Sequence, residues 1–259
     1  MQIVRISTGE GTKYGVIEGD IVRGFMGSPF LSGEERDNQF EVDGSIYKLP
    51  DIKLLAPCTP SKLVCLGLNY RSHAEEVKIP EPKIPLIFLK PSTAVVGPDD
   101  NIILPPGSRR VDYEAELGVV IGKNARFVPE EKAYDYVLGY TCVNDVTERY
   151  NQRDDGQWTR AKGYDTFAPL GPCIDTDIDP GNLLVETYLN GELRQSARTG
   201  DLIFGIPALL HFITGVMTLL PGDIIATGTM SGIGRMNSGD KVEVRIEKIG
   251  TLRNPVVSQ

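Results

Sequence analysis

The chain has 259 residues, of which 41% are hydrophobic and 24% charged, and its formal net charge is −8. This length suits one large domain, or a small domain followed by a large one, in an ordinary soluble globular protein. The acidic balance argues against a basic surface for nucleic acids or anionic membranes, and no stretch approaches the ~18 consecutive apolar residues of a membrane span. We therefore expect neither a nucleic-acid partner nor a membrane.

Cysteine and histidine usage narrows the chemistry further. None of the four cysteines belongs to a C-x-x-C pair, so buried free thiols in a reducing cytosol explain them better than disulfides or zinc. The N-terminal stretch MQIVRISTGE lacks the apolar core of a signal peptide, which also favours a cytoplasmic protein. Because the chain has two histidines, His73 and His211, a histidine-rich metal site is excluded.

The first part of the chain has the pattern of a small β-rich domain. The runs QIVRIS, YGVIEGDIVRGF and FEVDGSIYKL alternate apolar and polar residues and are broken by Gly and Asp, as in β-hairpins. The proline-containing segment LLAPCTPSK follows and has the composition of a connector. We therefore predict a small domain over residues 1–55 and a larger domain over residues 56–259.

The larger domain opens with a helix signal between two strand signals. KLVCLGL and IPLIFLK are apolar runs of strand length. Between them, NYRSHAEEV resembles a helix start, with Ser72 and Glu75 spaced as a capping box. His73 and Glu76 share a face of that helix, so the carboxylate can hold one imidazole nitrogen and leave the other for proton transfer. A surface histidine beside a surface glutamate is the simpler interpretation.

The next strand signal, DYEAELGVVIG, places three carboxylates at alternate positions and hence on one face of a strand: Asp112, Glu114 and Glu116. A solvated strand face is one interpretation. The other is a site for a hard cation such as Mg²⁺ or Mn²⁺, because crowded like charges destabilise a sheet unless something neutralises them. Asp145, just after the strand YTCVN, could supply a further ligand, although it could also be a helix N-cap.

The remaining elements contain more strands than helices. VPEEKAYDYVLGYTCV predicts a helix beginning at Pro129 and running into a strand, and Asn190–Gly191 predicts a hairpin turn. GIPALLHFITGVMTL predicts an amphipathic helix with one apolar face: Ile206, Leu209, Phe212, Ile213 and Val216. A turn at Pro221–Gly222, a strand, a Gly-rich loop and a closing strand, KVEVRIEKIG, follow. This order predicts an α+β, mainly β fold.

Four motifs in chain order resemble the fumarylacetoacetate hydrolase family: GLNYRSHAEE, DYEAELGVVIGK, NDVTERYNQRDDGQWTRAKGYDTFAPLGP and TGTMSGIG. They look most like the shorter bacterial and archaeal members, which include acylpyruvate hydrolases, 2-hydroxyhepta-2,4-diene-1,7-dioate isomerases and oxaloacetate tautomerases or decarboxylases. The resemblance implies the mixed β-sandwich and roll of that family, preceded here by the small N-terminal β-rich domain, and a homodimer.

The resemblance also implies roles for individual residues. The positions that match the metal ligands are Glu114, Glu116 and Asp145, and the ion would be Mg²⁺, with Mn²⁺ or Ca²⁺ as alternatives. The positions that match the catalytic groups are His73, Glu76 and Lys162. The candidate substrate-binding residues are Arg71, Lys90, Gln152 and Thr229. Longer members carry an additional Asp ligand before the histidine, but CLGLNYRS lacks an acid, so the ion should keep more water or substrate oxygens. The resemblance gives Asp112 no ligand role, and we expect it beside the ligands.

The implied substrate is a small 2-oxo carboxylic acid with a second carbonyl or enol nearby. We therefore predict a Mg²⁺-dependent hydrolase or isomerase that cleaves a C–C bond of acylpyruvate-like substrates or isomerises 2-hydroxyhepta-2,4-diene-1,7-dioate. Tautomerisation or decarboxylation of oxaloacetate is the alternative at the same site, and a non-catalytic metal-binding subunit is the alternative of another class. A nicotinamide-dependent dehydrogenase is set aside because no G-x-G-x-x-G follows the first strand.

Overall fold

Strands dominate the protein, whose computed structural model describes residues 1–9, 11–30 and 40–259. In the described part the strands of the first half are β1 (Gln2–Thr8), β2 (Gly11–Glu18), β3 (Ile21–Phe25), β4 (Val42–Lys48), β5 (Lys53–Leu55), β6 (Lys62–Leu66), β7 (Ile87–Pro91), β8 (Val95–Val96), β9 (Ile102–Leu104), β10 (Val111–Tyr113) and β11 (Ala115–Ile121). Those of the second half are β12 (Val137–Asn144), β13 (Thr147–Glu148), β14 (Ala168–Asp175), β15 (Leu184–Leu189), β16 (Glu192–Arg198), β17 (Ile224–Ala226), β18 (Gly234–Met236), β19 (Lys241–Ile246) and β20 (Gly250–Ser258). The α-helices are α1 (Arg71–Val77), α2 (Arg149–Asp155), α3 (Thr159–Lys162) and α4 (Ile206–Val216).

The described strands form three sheets. The main sheet has the order β4-β3-β2-β1-β14-β12-β11-β17-β6-β7, with β5 added beside β1 and β8 beside β14. A five-stranded sheet has the order β16-β15-β19-β20-β9, and a small sheet has the order β13-β10-β18. Most pairs are antiparallel, but β17 with β6, β20 with β9 and β14 with β8 are parallel.

The hydrophobic core lies where the main sheet faces the five-stranded sheet. Strands β11, β12 and β14 of the main sheet contact β15, β19 and β20 of the other. Apolar side chains from both sheets meet there, among them Leu117, Val119, Val185, Val244 and Leu252. The predicted α+β, mainly β architecture with a β-sandwich is therefore confirmed. None of the helices among the described residues combines the length and apolarity needed to cross a bilayer.

The predicted N-terminal hairpins are present as β1 to β4, but they do not form a sheet of their own. Strand β1 pairs with β14, where Ile3 lies opposite Ile174, and so joins the main sheet. Residues 10 and 31–39 of the predicted first domain lie outside the described residues. The four cysteines are free and buried, as expected; burial raises the pKa of the thiols of Cys58 and Cys173 to about 12.

The carboxylate-bearing strand is not continuous as predicted. It is divided at Glu114 into β10, which pairs with β13 and β18 in the small sheet, and β11, which pairs with β12 and β17 in the main sheet. At the break, the backbone N–H of Glu114 donates to the side-chain Oδ1 of Asn144, the last residue of β12, at 3.0 Å instead of to a backbone carbonyl. The segment from β10 to β11 therefore joins two sheets. Its acidic side chains lie at the junction of these sheets.

The helices differ from prediction at their ends. Tyr70 is the N-cap of α1, so the predicted capping box of Ser72 and Glu75 is wrong: Ser72 lies inside the helix and makes no cap hydrogen bond. The predicted helix after Pro129 is a 3₁₀-helix, Glu130–Tyr136. On α4, the predicted apolar face includes the buried residues Ile206, Leu209 and Ile213. Val216, the last residue of α4, is exposed, so it does not extend the buried face.

The turn predictions hold in the second half of the chain. Asn190 and Gly191 join β15 to β16 with φ values of 54° and 83°, the left-handed conformations that a two-residue hairpin requires. The first six residues of KVEVRIEKIG form β19, which is not the closing strand, because β20 follows and pairs with it. The Gly-rich segment after β17 is an irregular loop, residues 227–233, that lies beside the break at Glu114.

Candidate active site

Three carboxylates converge at the junction of the small sheet and the main sheet. Glu114 lies at the strand break, Glu116 is the second residue of β11, and Asp145 follows the last residue of β12. Each offers one oxygen such that these atoms all lie within 4.8 Å of one another, and all three residues are buried. The backbone N–H of Asp145 donates to the carbonyl oxygen of Glu114 at 2.9 Å, which fixes the two chain segments side by side.

Two lysines and an arginine partly neutralise this acidic cluster. The ammonium of Lys162, at the end of α3, lies 2.7 Å from Glu114 Oε2 and 2.6 Å from Asp145 Oδ2. The ammonium of Lys90 contacts Asp145 Oδ1 and donates to the carbonyl oxygen of Val146 at 3.0 Å. Arg149 Nη2 lies 2.5 Å from Glu114 Oε1. Glu114 and Asp145 are therefore each held by two cations.

Glu116 contacts no such cation in the described part of the chain. Its Oε2 accepts a hydrogen bond from the backbone N–H of Gly228 at 2.8 Å, but its buried Oε1 has no hydrogen-bond partner among the described residues. Burial, reinforced by the nearby charges of Asp145 and Glu114, raises the pKa of Glu116 well above its ordinary value. For Glu114 burial also favours the neutral acid, yet the charges of Arg149 and Lys162 outweigh it and lower the pKa.

This donor set fits a hard divalent cation. Oxygen ligands from carboxylates are what Mg²⁺ and Mn²⁺ prefer, and an unpartnered buried carboxylate oxygen is costly unless a cation or a proton satisfies it. Glu114, Glu116 and Asp145 are the residues that would hold the ion. Lys162 remains charged beside them: burial favours its neutral form, but the carboxylates of Asp145 and Glu114 prevail and raise its pKa.

Asp112 does not belong to the cluster, although it precedes Glu114 by two residues. Its Oδ1 accepts from Arg110 Nε at 2.9 Å and its Oδ2 accepts from Arg149 Nε at 2.8 Å. Because both oxygens are occupied by guanidinium groups, Asp112 orients Arg149, which in turn holds Glu114. The arginine contacts of Asp112 therefore explain why an acid occupies this third position of the alternating run, and no metal is needed to explain it.

The two predicted dyad residues are in contact at the edge of the same junction. His73 Nδ1 lies 2.9 Å from Glu76 Oε2, and His73 is buried whereas Glu76 is exposed. The other carboxylate oxygen, Glu76 Oε1, accepts from the backbone N–H of Gly232 at 3.0 Å. When Nδ1 donates to Glu76, Nε2 of His73 carries a free lone pair.

A cavity of about 450 Å³ connects these groups. Its polar lining residues include His73, Glu114 and Lys162. Its apolar lining residues include Val77, Ile79, Pro80, Pro82, Leu86, Trp158 and Ile233. The indole of Trp158 packs edge-on against Phe88, with ring centroids 5.3 Å apart. A Cβ atom on Gly67 would lie only 2.7 Å from that indole, so glycine at the end of β6 gives it room.

The four predicted substrate-binding residues do not all reach this cavity. Gln152 lines it. Arg71 is exposed on α1 and Nη1 donates to the carbonyl oxygen of Asp201 at 3.3 Å. Lys90 is fully buried, and its ammonium faces Asp145 rather than the cavity. Thr229 uses its hydroxyl proton on the carbonyl oxygen of Ala115 at 2.9 Å, so that proton is not free for a substrate carboxylate.

Sequence reasoning missed three residues of the site: Arg149, Trp158 and Gln195. Arg149 Nη1 donates to Gln152 Oε1 at 3.0 Å, and their spacing of three residues on a helix could have indicated that they share a face. Gln195 Nε2 donates to Thr229 Oγ1 at 2.9 Å. No local pattern indicates this last contact, because it links residues 34 positions apart.

Comparison with known proteins agrees with this geometry. Residues 62–257 match the family described as Fumarylacetoacetate (FAA) hydrolase C-terminal, and residues 1–57 match the family described as Rv2993c-like, N-terminal. The fold places β-strands from both segments in one sheet around an acidic junction, and the match covers most of the chain. The protein therefore belongs to the fumarylacetoacetate hydrolase family, as its motifs indicated.

Individual relatives include proteins with different reactions. The crystal structure of a 5-carboxymethyl-2-hydroxymuconate delta-isomerase from Mycobacterium smegmatis is 43% identical with a TM-score of 0.93, and the match covers 100% of both chains. Oxaloacetate tautomerase FAHD2B, mitochondrial, from Bos taurus is 44% identical over 80% of this chain and 70% of its own length. A maleylpyruvate hydrolase from Sphingobium sp. SYK-6, in complex with manganese(II) and pyruvate, is 32% identical with a TM-score of 0.81, covering 100% of this chain and 99% of that one.

Proposed function

We propose that the protein is a divalent-cation-dependent enzyme that acts on small 2-oxo carboxylic acids. In the preferred reaction it cleaves a C–C bond of an acylpyruvate-like substrate or isomerises 2-hydroxyhepta-2,4-diene-1,7-dioate. One observation carries the proposal: a histidine held by a carboxylate lines the same cavity as Glu114 and Lys162 of the acidic cluster. A metal site that serves only the fold needs no base and no substrate cavity beside it.

The relatives support the chemistry in its general form. The isomerase, the tautomerase and the hydrolase named above carry out different reactions on this fold, and the hydrolase is seen with manganese(II) and pyruvate. We propose Mg²⁺ as the ion, with Mn²⁺ or Ca²⁺ able to replace it at oxygen ligands. When bound, the cation would stabilise the negative charge that develops on the substrate's 2-oxo oxygen.

Residues of the chain itself would provide proton transfer, positive charge and substrate binding. Glu76 holds Nδ1 of His73, which leaves Nε2 to accept a proton from water for attack on the distal carbonyl. In an isomerisation, the same nitrogen would carry a proton between carbon and oxygen. The ammonium of Lys162 stays charged and lies against two of the carboxylates, where it adds positive charge beside the reacting oxygens. We propose that Gln152, which lines the cavity, hydrogen-bonds the substrate.

The apolar lining of the cavity supports an extended substrate over a compact one. Leu86 and Ile79 are 50% and 55% exposed and line the same cavity as the charged groups. An acyl chain or a diene segment would cover them, and burial of each CH₂ contributes about 0.8 kcal/mol. Oxaloacetate, which lacks such a segment, is the second candidate, and it is supported by the bovine tautomerase. We propose a homodimer as the assembly, from the family resemblance.

A substrate panel with a histidine control tests the proposed function. Acylpyruvates of increasing chain length, 2-hydroxyhepta-2,4-diene-1,7-dioate and oxaloacetate are supplied with Mg²⁺ or Mn²⁺, and cleavage, isomerisation, ketonisation and CO₂ release are followed separately. We expect turnover of at least one acid to fall about 10²–10⁴-fold in His73→Ala. His211→Ala removes an exposed histidine whose Nδ1 contacts the carbonyl oxygen of Val128, and it should retain turnover.

Two outcomes contradict the proposal. One is the absence of turnover for every acid on the panel in the wild-type protein loaded with Mg²⁺ or Mn²⁺. The other is full turnover by His73→Ala, which would remove the dyad from the reaction. Ketonisation of oxaloacetate without cleavage or isomerisation of the longer acids would select the second candidate.

A further inference from the structure

Gln195 is a buried amide that connects the five-stranded sheet to both parts of the candidate site. It lies on β16, is 1% exposed, and makes four hydrogen bonds. Its Oε1 accepts from the backbone N–H of Ala115 at 3.1 Å and from the hydroxyl of Thr187 at 2.7 Å. Its Nε2 donates to Thr229 Oγ1 at 2.9 Å and to the carbonyl oxygen of Met230 at 3.0 Å.

The orientation of this amide is fixed by its partners. The backbone N–H of Ala115 can only donate and the carbonyl oxygen of Met230 can only accept, so a flipped Gln195 would face two like groups. All four hydrogen-bonding positions of the amide are used. A buried amide with every position satisfied holds its neighbours in one arrangement, because leaving any one of them unpaired costs free energy.

The contacts of Gln195 form a closed circuit around Ala115, the residue between two of the candidate metal ligands. Gln195 holds the N–H of Ala115, whereas Thr229 holds the carbonyl oxygen of Ala115 at 2.9 Å. The Oγ1 atom of Thr229, which donates to Ala115, accepts a hydrogen bond from Nε2 of Gln195. Both backbone groups of Ala115 are thus fixed, directly or through one hydroxyl, by a single side chain from another sheet.

The same amide fixes the loop of residues 227–233 against β16. A Cβ atom on Gly232 would lie 2.3 Å from the carbonyl oxygen of Arg194, which shows how closely the loop approaches the strand. From this loop, the N–H of Gly228 donates to Glu116 and the N–H of Gly232 donates to Glu76. The position of the loop therefore decides where a candidate ligand and the carboxylate of the dyad lie relative to each other.

We propose that Gln195 is a positioning residue that sets the spacing between the acidic cluster and the His73–Glu76 dyad. The proposal rests on the proposed function for the meaning of that spacing, but the physical link is in the chain itself. Without the amide, the loop and the Ala115 segment lose their shared attachment to β16, although Thr229 still donates to Ala115. The loop that carries the N–H partners of Glu116 and Glu76 is then less firmly held.

Two substitutions separate the parts of the circuit. Gln195→Met has similar length and removes all four hydrogen bonds. Gln195→Glu keeps an oxygen that accepts from Ala115 and Thr187, but it loses the donors to Thr229 and Met230. The matched control is Asn254→Leu: Asn254 is also a 1% exposed amide in the five-stranded sheet, and its Nδ2 donates to the carbonyl oxygens of Gly97 and Asp100 at 2.9 and 2.8 Å.

Amide hydrogen exchange, read by mass spectrometry, tests the link without metal or substrate. We expect peptides that cover residues 111–117 and 227–233 to exchange about tenfold faster in Gln195→Met, the order expected from the loss of buried hydrogen bonds. In Gln195→Glu we expect the faster exchange mainly in residues 227–233. Asn254→Leu should leave both segments as in the wild-type protein, even where its melting temperature falls.

Binding and kinetics then test the consequence for the site. By calorimetry with Mn²⁺ alone, we expect Gln195→Met to bind the ion about tenfold more weakly than Asn254→Leu binds it. This comparison requires that the two variants have similar melting temperatures. With the best acid from the panel, kcat should fall more than KM rises, because the dyad and the ligands are misaligned rather than absent.

The proposal is overturned if both Gln195 variants show wild-type exchange in the two segments, or exchange no faster than in Asn254→Leu. Such a result concerns Gln195 alone. A wild-type protein that neither binds Mn²⁺ nor acts on any acid contradicts the proposed function, whereas the exchange experiment still decides whether Gln195 anchors the loop.

Discussion

At the scale of single residues, Glu116 is the carboxylate of the cluster that no cation of the described residues contacts. Its pKa is raised by burial and by the charges of Asp145 and Glu114, so the folded, ion-free protein favours its protonated form. This shift stabilises the ion-free fold below the ordinary pKa of 4.5, and the contribution is lost as the pH rises through the raised pKa. A divalent cation needs the ionised form, so it must displace the proton.

We therefore predict that Mn²⁺ binding becomes tighter with rising pH, by up to about tenfold per unit between pH 4.5 and the raised pKa of Glu116. Titration calorimetry in buffers of different ionisation enthalpy should show up to one proton released per ion. Glu116→Gln should bind more weakly and release fewer protons. Equal proton release by the variant and the wild-type protein would show that another group titrates.

At the scale of elements, the conformation of the loop of residues 227–233 requires a glycine at a closely packed position. Gly228 has a φ of 95°, and a Cβ atom there would lie 2.8 Å from Cβ of Asn69. Gly239 has nearly the same φ, 94°, but no atom of the described residues lies within 4 Å of its added Cβ. The two glycines therefore separate backbone strain from close packing.

We predict that Gly228→Ala and Gly239→Ala both lower the free energy of unfolding by about 1–2 kcal/mol through the left-handed backbone, and that Gly228→Ala lowers it further. Of the two variants, only Gly228→Ala should weaken Mn²⁺ binding, by about tenfold, because the backbone N–H that donates to Glu116 must move. Urea denaturation and calorimetry of both variants measure the two effects. Unchanged binding in Gly228→Ala would mean that the loop does not position the ligand.

The elements also show what the sequence could predict. The ligand candidates follow from local rules, because a strand alternates its faces and Asp145 stands at a strand end. The contact of His73 with Glu76 follows from helical spacing. The break at Glu114 does not, since its backbone N–H is taken by the side chain of Asn144, 30 residues away. Local periodicity contains no information about a partner at that distance.

The same limit explains the substrate-binding residues. Lys90 has the alternation of a strand residue, but whether its ammonium faces the cavity or Asp145 depends on the neighbouring strand segment. Thr229 lies in a sequence motif that resembles one of the family, yet its hydroxyl donates its proton to the carbonyl oxygen of Ala115. The circuit through Gln195 joins three distant segments of the chain, so only the tertiary fold shows it.

At the scale of the whole molecule, the N-terminal hairpins complete the main sheet. Ile3, Val4 and Ile6 of β1 are fully buried, and β1 covers the edge of β14. An uncovered strand edge with apolar neighbours pairs readily with other chains. The predicted first domain therefore contributes to the integrity of the second, although it supplies no residue of the candidate site among those described.

We predict that a chain beginning at residue 56 aggregates or melts at a markedly lower temperature than the full-length protein, because β14 and the apolar residues beneath β1 are exposed. Size-exclusion chromatography with light scattering and thermal denaturation by circular dichroism measure this. A shortened chain that is monodisperse and melts within a few degrees of the full-length protein would show that the second domain is independent of the first.

The ion pairs around Glu114 also have a consequence for the charge of a ligand. The acids Asp112, Glu114, Glu116 and Asp145 adjoin the bases Lys90, Arg110, Arg149 and Lys162. When all are ionised, the charges of these eight groups cancel, and a divalent cation bound among them would add two positive charges. A dianion restores neutrality: either a dicarboxylate or a monocarboxylate whose enol has lost its proton. Esters and amides of the same acids would leave that charge uncompensated beside the buried carboxylates, where isolated charge is costly, so we expect them to bind more weakly than the free acids.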